Sequence, residues 1–319
     1  MLRSAAVGLV LALAGSAGAQ SWPDRPIRLV VGFTPGGAAD YVGRSVGDAL
    51  GRVLGQPVVI DNKPGAGSSL AADFVAKAAP DGYTVLIASP SAISVNPALD
   101  PRRAPTVQTL VPVAKLTASP LVIAANPQLG IRSIADLIDY AKKNPGKVNF
   151  AHAGMGSAPH LGGVLFNQLA GTDLVGIPFK GGAPSVASVI AGDTQVTFAT
   201  PPSVLPQIKG GRLVGLGVTT SDRFPLVPDL PGMKEAGLPA YRIDFWYGFF
   251  VPAGTPPEIV NRLFDATAQA LQKPEVRAAL AREGTDVSPS ASPADFATFV
   301  EGENRFWAKL AKNSGAKAE

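Results

Sequence analysis

Short apolar runs alternate along this chain with stretches in which apolar residues recur every three or four positions. Ile27 to Phe33 is a mostly apolar run and predicts a strand. After Thr34-Pro35-Gly36-Gly37, the residues Val42, Val46, Ala49, Leu50 and Val53 fall on one face of a helix. Further strands are predicted at Val58 to Ile60, Thr84 to Ala88, Leu121 to Ala125, Val148 to Ala151, Val175 to Phe179, Gln195 to Ala199, Leu213 to Val218 and Gly248 to Val251. Helices lie between most of them. Ser133 followed by Asp136 makes a capping-box-like start to a helix carrying Ile134, Leu137, Ile138 and Ala141, which stops at Lys142-Lys143-Asn144-Pro145-Gly146. Leu161, Val164, Leu165 and Leu169 mark another helix, ended by Gly171. The alternation predicts an α/β fold of doubly wound layers with mostly parallel strands.

From Pro256 onward the pattern is helical, with Ile259, Leu263, Phe264 and Leu271 on one face and a long final helix through Phe296, Phe299, Val300, Glu303, Phe306, Trp307 and Leu310. This tail is expected to pack back on the first lobe. About 300 residues exceed what one hydrophobic core usually serves, so two lobes are expected. The divisions read from the sequence are 20–122 with 245–319 for a discontinuous first lobe and 123–244 for the second.

The first residues change the picture of where the protein works. Arg3, an apolar run from Ala5 to Ala14 and the small-residue site Ala17-Gly18-Ala19 have the form of a secretory signal over residues 1–19, cleaved near Ala19. The run is too short to span a bilayer. With no cysteine in the chain, neither a lipid anchor nor a disulfide framework is expected. The expected product diffuses freely in the periplasm. Hydrophobic residues make up 46% of the chain and charged residues 16%, which excludes a disordered protein. Without Arg3 the 28 basic residues become 27 against 24 acidic ones, spread thinly and without a basic stripe, so nucleic-acid binding is not expected.

In open α/β sheets, ligands sit beyond the carboxyl ends of the strands, where loops run into helix N-termini. Thr34-Pro35-Gly36-Gly37-Ala38, following Phe33, is one such loop, and Gly154-Met155-Gly156-Ser157 is another. Each reads in two ways: as an anion site built from backbone N–H groups, or as a tight turn that uses glycine for its own backbone. If they face each other across a cleft, they suit a carboxylate. A third loop, Pro64-Gly65-Ala66-Gly67-Ser68, has Leu70 where a dinucleotide fingerprint needs glycine and reads as packing. No nucleotide-binding G-x-x-x-x-G-K-[ST] motif is present, and no cofactor is implied.

Catalytic chemistry is thinly represented. The two histidines, His152 and His160, flank the second loop. Ser157 and His160 could be assembled into a periplasmic hydrolase, but the G-x-S-x-G elbow is missing. The other reading places His160 in the first turn of a helix, its neutral ring bonded to a neighbouring loop. No third ligand for a metal lies near in sequence. Lys180, followed by Gly181-Gly182, is either a solvated loop cation or an anion contact at the cleft rim.

Taken in order, several stretches resemble the substrate-binding proteins of tripartite tricarboxylate transporters, the Bug receptors of Gram-negative bacteria. They are Pro26-Ile27-Arg28-Leu29-Val30-Val31 with Pro35-Gly36-Gly37-Ala38-Ala39-Asp40, Asp61-Asn62-Lys63-Pro64-Gly65-Ala66-Gly67, and Ala76-Lys77-Ala78-Ala79-Pro80-Asp81-Gly82-Tyr83-Thr84. Ala141 to Gly146, Gly154 to Ser157 with His160-Leu161, Pro178-Phe179-Lys180-Gly181, Trp246-Tyr247-Gly248 and Pro252 to Pro256 complete the set. The resemblance spans nearly all of the mature chain.

It implies two α/β lobes closing by hinge motion around a small organic carboxylate, in the manner of a type II periplasmic binding protein. Carried onto this sequence, it assigns ligand contacts to Pro35, Gly36 and Gly37, with Gly154, Gly156 and Ser157 opposite. Phe33, Ala38, His160, Lys180, Gly181 and Thr200 extend that set, and Ser89, Ser91 and Ser119 are further hydroxyl candidates. The implied partners are integral membrane transporter subunits, or else a sensor kinase, with the receptor itself a monomer. Two stretches depart from the family pattern. Ala199-Thr200 stands where many relatives carry an acidic residue, which favours a ligand without an amino group, and Asp100 to Gln108 lacks the usual tyrosine- and aspartate-rich segment.

Overall fold

The computed structural model describes residues 22–313, so the leader read over residues 1–19 lies outside the described residues. The chain begins with β1 (Ile27–Val31), α1 (Ala38–Leu54), β2 (Val58–Asn62), α2 (Ser69–Ala76) and β3 (Thr84–Ala88). Two short helices, α3 (Asn96–Leu99) and α4 (Ala104–Gln108), lead into β4 (Leu110–Pro120) and β5 (Val122–Ala125). Next come α5 (Ile134–Lys143), β6 (Asn149–His152), α6 (Ala158–Ala170), β7 (Val175–Pro178), α7 (Gly182–Ala191), β8 (Val196–Ala199), α8 (Pro201–Lys209) and β9 (Val214–Val218). The last part is β10 (Asp244–Pro252), α9 (Pro257–Gln272), α10 (Pro274–Arg282), β11 (Asp286–Val287) and α11 (Pro293–Asn313).

Local chemistry explains the helix limits. The α1 face that carries Val42, Val46, Ala49 and Leu50 is buried, and the helix stops where Gly55 turns left-handed at φ 73°. Ser133 caps α5 by accepting the Asp136 N–H at 3.0 Å, as its spacing predicts. Ser157 does the same for α6, and Gly171 ends that helix in the left-handed region.

Among the described residues the strands form two sheets, ordered β11-β4-β10-β3-β1-β2 and β7-β6-β8-β5-β9. Each has a parallel core, β2-β1-β3 in one and β7-β6-β8 in the other. The rest is antiparallel, so the sheets are mixed where mostly parallel strands were expected. The reason is the path of the chain: it leaves one sheet through β4, enters the other at β5, and returns through β10, so each crossing strand runs against its neighbour. The tail lies on the six-stranded sheet, α9 against α1 and β4, and α11 against β4 and the π-helical turn Ser91–Val95.

Between the sheets the two crossings are tied to a single side chain. Leu121, the one residue between β4 and β5, donates its N–H to Thr219 Oγ1 at 2.8 Å and accepts the Thr219 N–H at 2.9 Å. The same hydroxyl donates to the carbonyl of Ile243 at 2.7 Å, just before β10, and the Ile243 N–H returns to the Thr219 carbonyl at 3.1 Å.

Candidate functional site

Residues that follow the carboxyl ends of strands in both sheets line one narrow cavity. Phe33, Gly37 and Ala38 come from the loop after β1, Ser91 from the turn after β3, Ala153 from the loop after β6, and Thr200 and Ser203 from the start of α8. Its volume is about 30 Å³, room for two or three waters at roughly 10–15 Å³ each. A second space of about 250 Å³ shares Phe33 and Ala153 with it and opens past Gly65 to Ser68, Gly154 and Lys180.

Helix starts dominate the first cavity. The N-cap of α1 is Gly37, which supplies no side-chain cap. A Cβ at Gly37 would stand 3.7 Å from the amide nitrogen of Ala183 and 3.9 Å from that of Gly182, so the first amides of α7 face the first amides of α1. The α7 N-cap, Gly181, likewise gives no side-chain cap, and neither does Thr200 at the head of α8. At α8 the two positions after the cap are Pro201 and Pro202, which have no N–H. That helix therefore contributes its dipole and the hydroxyls of Thr200 and Ser203, which lie 3.3 Å apart. No residue lining this cavity carries a charged side chain.

Asp40, in the first turn of α1, does not spoil the positive end. Burial pushes its carboxyl up, but hydrogen bonds from Arg44, the Gly36 amide and Asn62, with the Arg44 charge, outweigh that and hold it below the ordinary range. Its charge is thereby matched within the loop.

The loop over residues 154–157 is arranged differently from its expected role. Ser157 Oγ accepts the His160 N–H at 3.2 Å, and His160 Nδ1 accepts the Gly156 N–H at 3.3 Å. The hydroxyl caps its own helix and the ring braces the loop. Among the described residues no serine hydroxyl is hydrogen-bonded to a histidine ring as a hydrolase needs. Burial, together with His160 alongside, lowers the His152 pKa to about 3, and burial lowers that of His160 to about 4, so both are neutral near pH 7. Neither is poised for acid–base work.

Of the residues picked from the sequence, Phe33, Gly37, Ala38, Ser91 and Thr200 line the first cavity, and Phe33, Gly154 and Lys180 line the second. Pro35 and Gly36 are exposed, the Gly36 amide being taken by Asp40 at 3.0 Å. Gly156 sits against the Asn96 side chain, Ser89 is buried, and Ser119 pairs with Phe245 across β4 and β10. Gly181 lies under Thr34, where a Cβ would come within 2.7 Å of Oγ1. The loop over 65–68, expected only to pack, borders the second space.

The model of the tripartite tricarboxylate transporter family receptor matches residues 42–315. The chain belongs to that receptor family. Protein BugT of Bordetella pertussis is 37% identical over 321 residues, 98% of this chain and 97% of that protein. A solved structure of a Rhodopseudomonas palustris protein with adipate superposes with a TM-score of 0.89 at 34% identity, over 93% of this chain and 99% of that one. MatC from R. palustris, with bound malate, gives 0.85 at 33% identity over 91% and 99%. As a member of a receptor family, this tricarboxylate-transporter type protein binds and releases solute and is not an enzyme. The same comparisons place it in the periplasmic binding protein fold.

Several cavity residues of this receptor escaped sequence reasoning: Ser185, Gly182, Ser203, Phe245 and Tyr247. Two signals could have found them. The rule that put the β1 loop at a ligand applies equally to the segment after β8, where Ser203 lies. Strand alternation puts Phe245 and Tyr247 on one face of β10, beside the Trp246-Tyr247-Gly248 stretch that carries the family resemblance. Their rings meet edge to face with centroids 5.0 Å apart and form an apolar wall.

Proposed function

We propose that this protein is a periplasmic receptor that captures a small organic carboxylate in the cleft between two closing lobes and delivers it to the membrane subunits of a tripartite tricarboxylate transporter. One observation supports the ligand class: the heads of α1, α7 and α8, none capped by its own N-cap side chain, meet at one cavity that has no charged side chain, with the Ala38 N–H of α1 met only by the neutral hydroxyl of Ser203. Helix-start N–H groups of α1 and α7, the hydroxyls of Thr200 and Ser203 and the aligned dipoles favour an anion. The relatives named for bound malate and adipate carry dicarboxylates, which agrees with a helix-start clamp at one end and Lys180 at the rim for the other.

Following the two sheets, the closing bodies are residues 22–120 with 244–313, and 122–242, their inner boundaries within two residues of the divisions read from the sequence, hinged where Thr219 ties Leu121 to Ile243. The mature chain begins near Gln20, is not lipid-anchored, and works as a monomer. Gly37, Ala38, Gly182, Ala183 and Ser203 form the carboxylate clamp, with Phe245 and Tyr247 the wall behind it.

The test is calorimetry and thermal shift on the purified mature chain against malate, adipate, citrate, benzoate and glutamate. Saturable binding is expected for at least one acid, with stabilisation of about 2.7 kcal/mol when ligand is at 100 times its Kd. Silence across the whole set, with the protein folded, overturns the ligand class.

A further inference from the structure

The two spaces of the cleft meet at Phe33 and Ala153, which line both. A ligand reaching from the helix-start clamp into the larger space therefore passes between apolar groups. The larger space differs from the first in charge: Lys180 is the single ionisable side chain among its lining residues. Another part of its wall is the 65–68 loop, whose backbone is unusual. Ala66, Gly67 and Ser68 all take left-handed φ values, 46°, 57° and 75°, a region that residues with a Cβ rarely enter.

One side chain holds the loop in that shape. Asn96, at 6% exposure, shares its Nδ2 hydrogens among the carbonyls of Ala66 and Gly67, each at 3.1 Å, and Ser69 Oγ at 2.8 Å. Its oxygen lies against Gly156, where a Cβ would come within 1.9 Å. The loop's carbonyls are thus drawn onto Asn96, and an amide faces the opposite lobe. The Gly67 nitrogen is the atom nearest a Cβ built on Gly154, at 3.4 Å.

Ser68 adds a hydroxyl to this wall. It is 1% exposed, and its Oγ has no hydrogen-bond partner among the described residues. The side chain fits because Gly32 has none: a Cβ there would come within 1.8 Å of Ser68 Oγ. A left-handed serine with an orphaned buried hydroxyl carries two costs that glycine would avoid, and such costs gather where a ligand is gripped. What the hydroxyl lacks is an acceptor, and a carboxylate oxygen is one.

We propose that the 65–68 loop, shaped by Asn96, is a second anion subsite of the cleft. The Gly67 amide and the Ser68 hydroxyl take the far carboxylate of a diacid whose near carboxylate sits in the helix-start clamp, and Lys180 adds charge at the rim. Asn96 is a positioning residue that acts through the loop. The subsite deepens the carboxylate reading above and rests on it.

Calorimetry on the mature chain compares each diacid with the acid that lacks its second carboxylate: adipate with hexanoate, malate with 2-hydroxybutyrate, glutamate with 2-aminopentanoate. The parent should prefer the diacid. Ser68→Gly and Asn96→Ala should each reduce that preference about 10- to 100-fold, the range for a hydrogen bond to a charged group, by weakening the diacid and not its partner. Urea unfolding gives a readout that needs no ligand. Ser68→Gly should leave the midpoint unchanged or raise it, since glycine adopts a φ of 75° freely. A lower midpoint would mean that the hydroxyl serves the fold, and refutes its assignment to the ligand. Equal loss for both members of a pair, a parent with no preference for the diacid, or binding of benzoate alone refutes the subsite and leaves the carboxylate class standing. If no acid binds the folded parent, the carboxylate class falls and the subsite with it.

Discussion

The imidazoles of His152 and His160 lie beneath the 154–157 loop with ring centroids 4.6 Å apart, both buried and both neutral at pH 7. His152 Nε2 has no hydrogen-bond partner, so a proton there would meet neither acceptor nor solvent.

That pair predicts acid sensitivity well above the carboxylate range. In the unfolded chain each histidine takes a proton near pH 6.5, whereas the folded values are about 3 and about 4. Between those limits the unfolded state binds more protons, so stability falls as pH falls. Urea denaturation at pH 7 and pH 5 should differ by about 2 kcal/mol per histidine. The Asp40 contribution, whose folded pKa is depressed, is lost only below the ordinary carboxylate value and leaves that window untouched. A pH-independent urea midpoint between 7 and 5 would contradict the buried neutral pair.

Where the chain crosses between the sheets, Thr219→Val keeps the side-chain shape but leaves the Leu121 N–H without its acceptor and the Ile243 carbonyl with one bond fewer. Each buried group so abandoned costs about 1–3 kcal/mol, and equilibrium unfolding should register a loss of about 2–4 kcal/mol. Thr219→Ser should recover most of it.

Gly181→Ala tests the cleft rim. With φ at 150° and Thr34 Oγ1 only 2.7 Å and Thr34 N 3.3 Å from the added carbon, the substitution strains the turn and must displace either the Thr34 side chain or the α7 head. Carboxylate binding by calorimetry should weaken about tenfold or more, because a displacement near 1 Å is large for a backbone clamp. The unfolding midpoint should fall as well, since a residue with a Cβ is strained at φ 150° whether the lobes are open or closed.

On the far side of the six-stranded sheet, Glu303 Oε2 accepts the indole N–H groups of both Trp246 and Trp307 at 2.8 Å. Glu303→Leu orphans two buried donors and should cost about 2–4 kcal/mol in denaturation experiments. Glu303→Gln, which retains an acceptor oxygen, should cost less than half of that. It should also lower the Lys115 pKa further, already depressed by burial and supported in part by the Glu303 charge.

Local signals were legible in the sequence wherever they completed themselves locally. Thr84 to Ala88 is the strand predicted, Ser133 caps the predicted helix, and Gly171 ends another. The long strand β4 was not anticipated because its burial does not alternate: its register against β10 shifts between Tyr247 and Gly248 and again between Phe249 and Phe250. The glycine loops marked the cleft, yet the sequence could not tell which helix heads lack a cap from their own N-cap side chain. Ser157 has the same residue type and setting as a ligand contact, but its hydroxyl serves its own helix. Ser203 meets Ala38 across 165 residues of chain, a proximity that only the facing of two sheets creates.

A clamp made from the heads of α1 and α7 also has a hereditary consequence. Point mutation replaces side chains, while nearly every amino acid carries the same N–H. The proposed anion-holding part of this receptor would therefore survive most substitutions that leave the turns intact, and lineages could trade Phe245, Tyr247 or Lys180 for other groups while still binding an acid. A duplicated copy would change its diet before it lost its appetite for carboxylates.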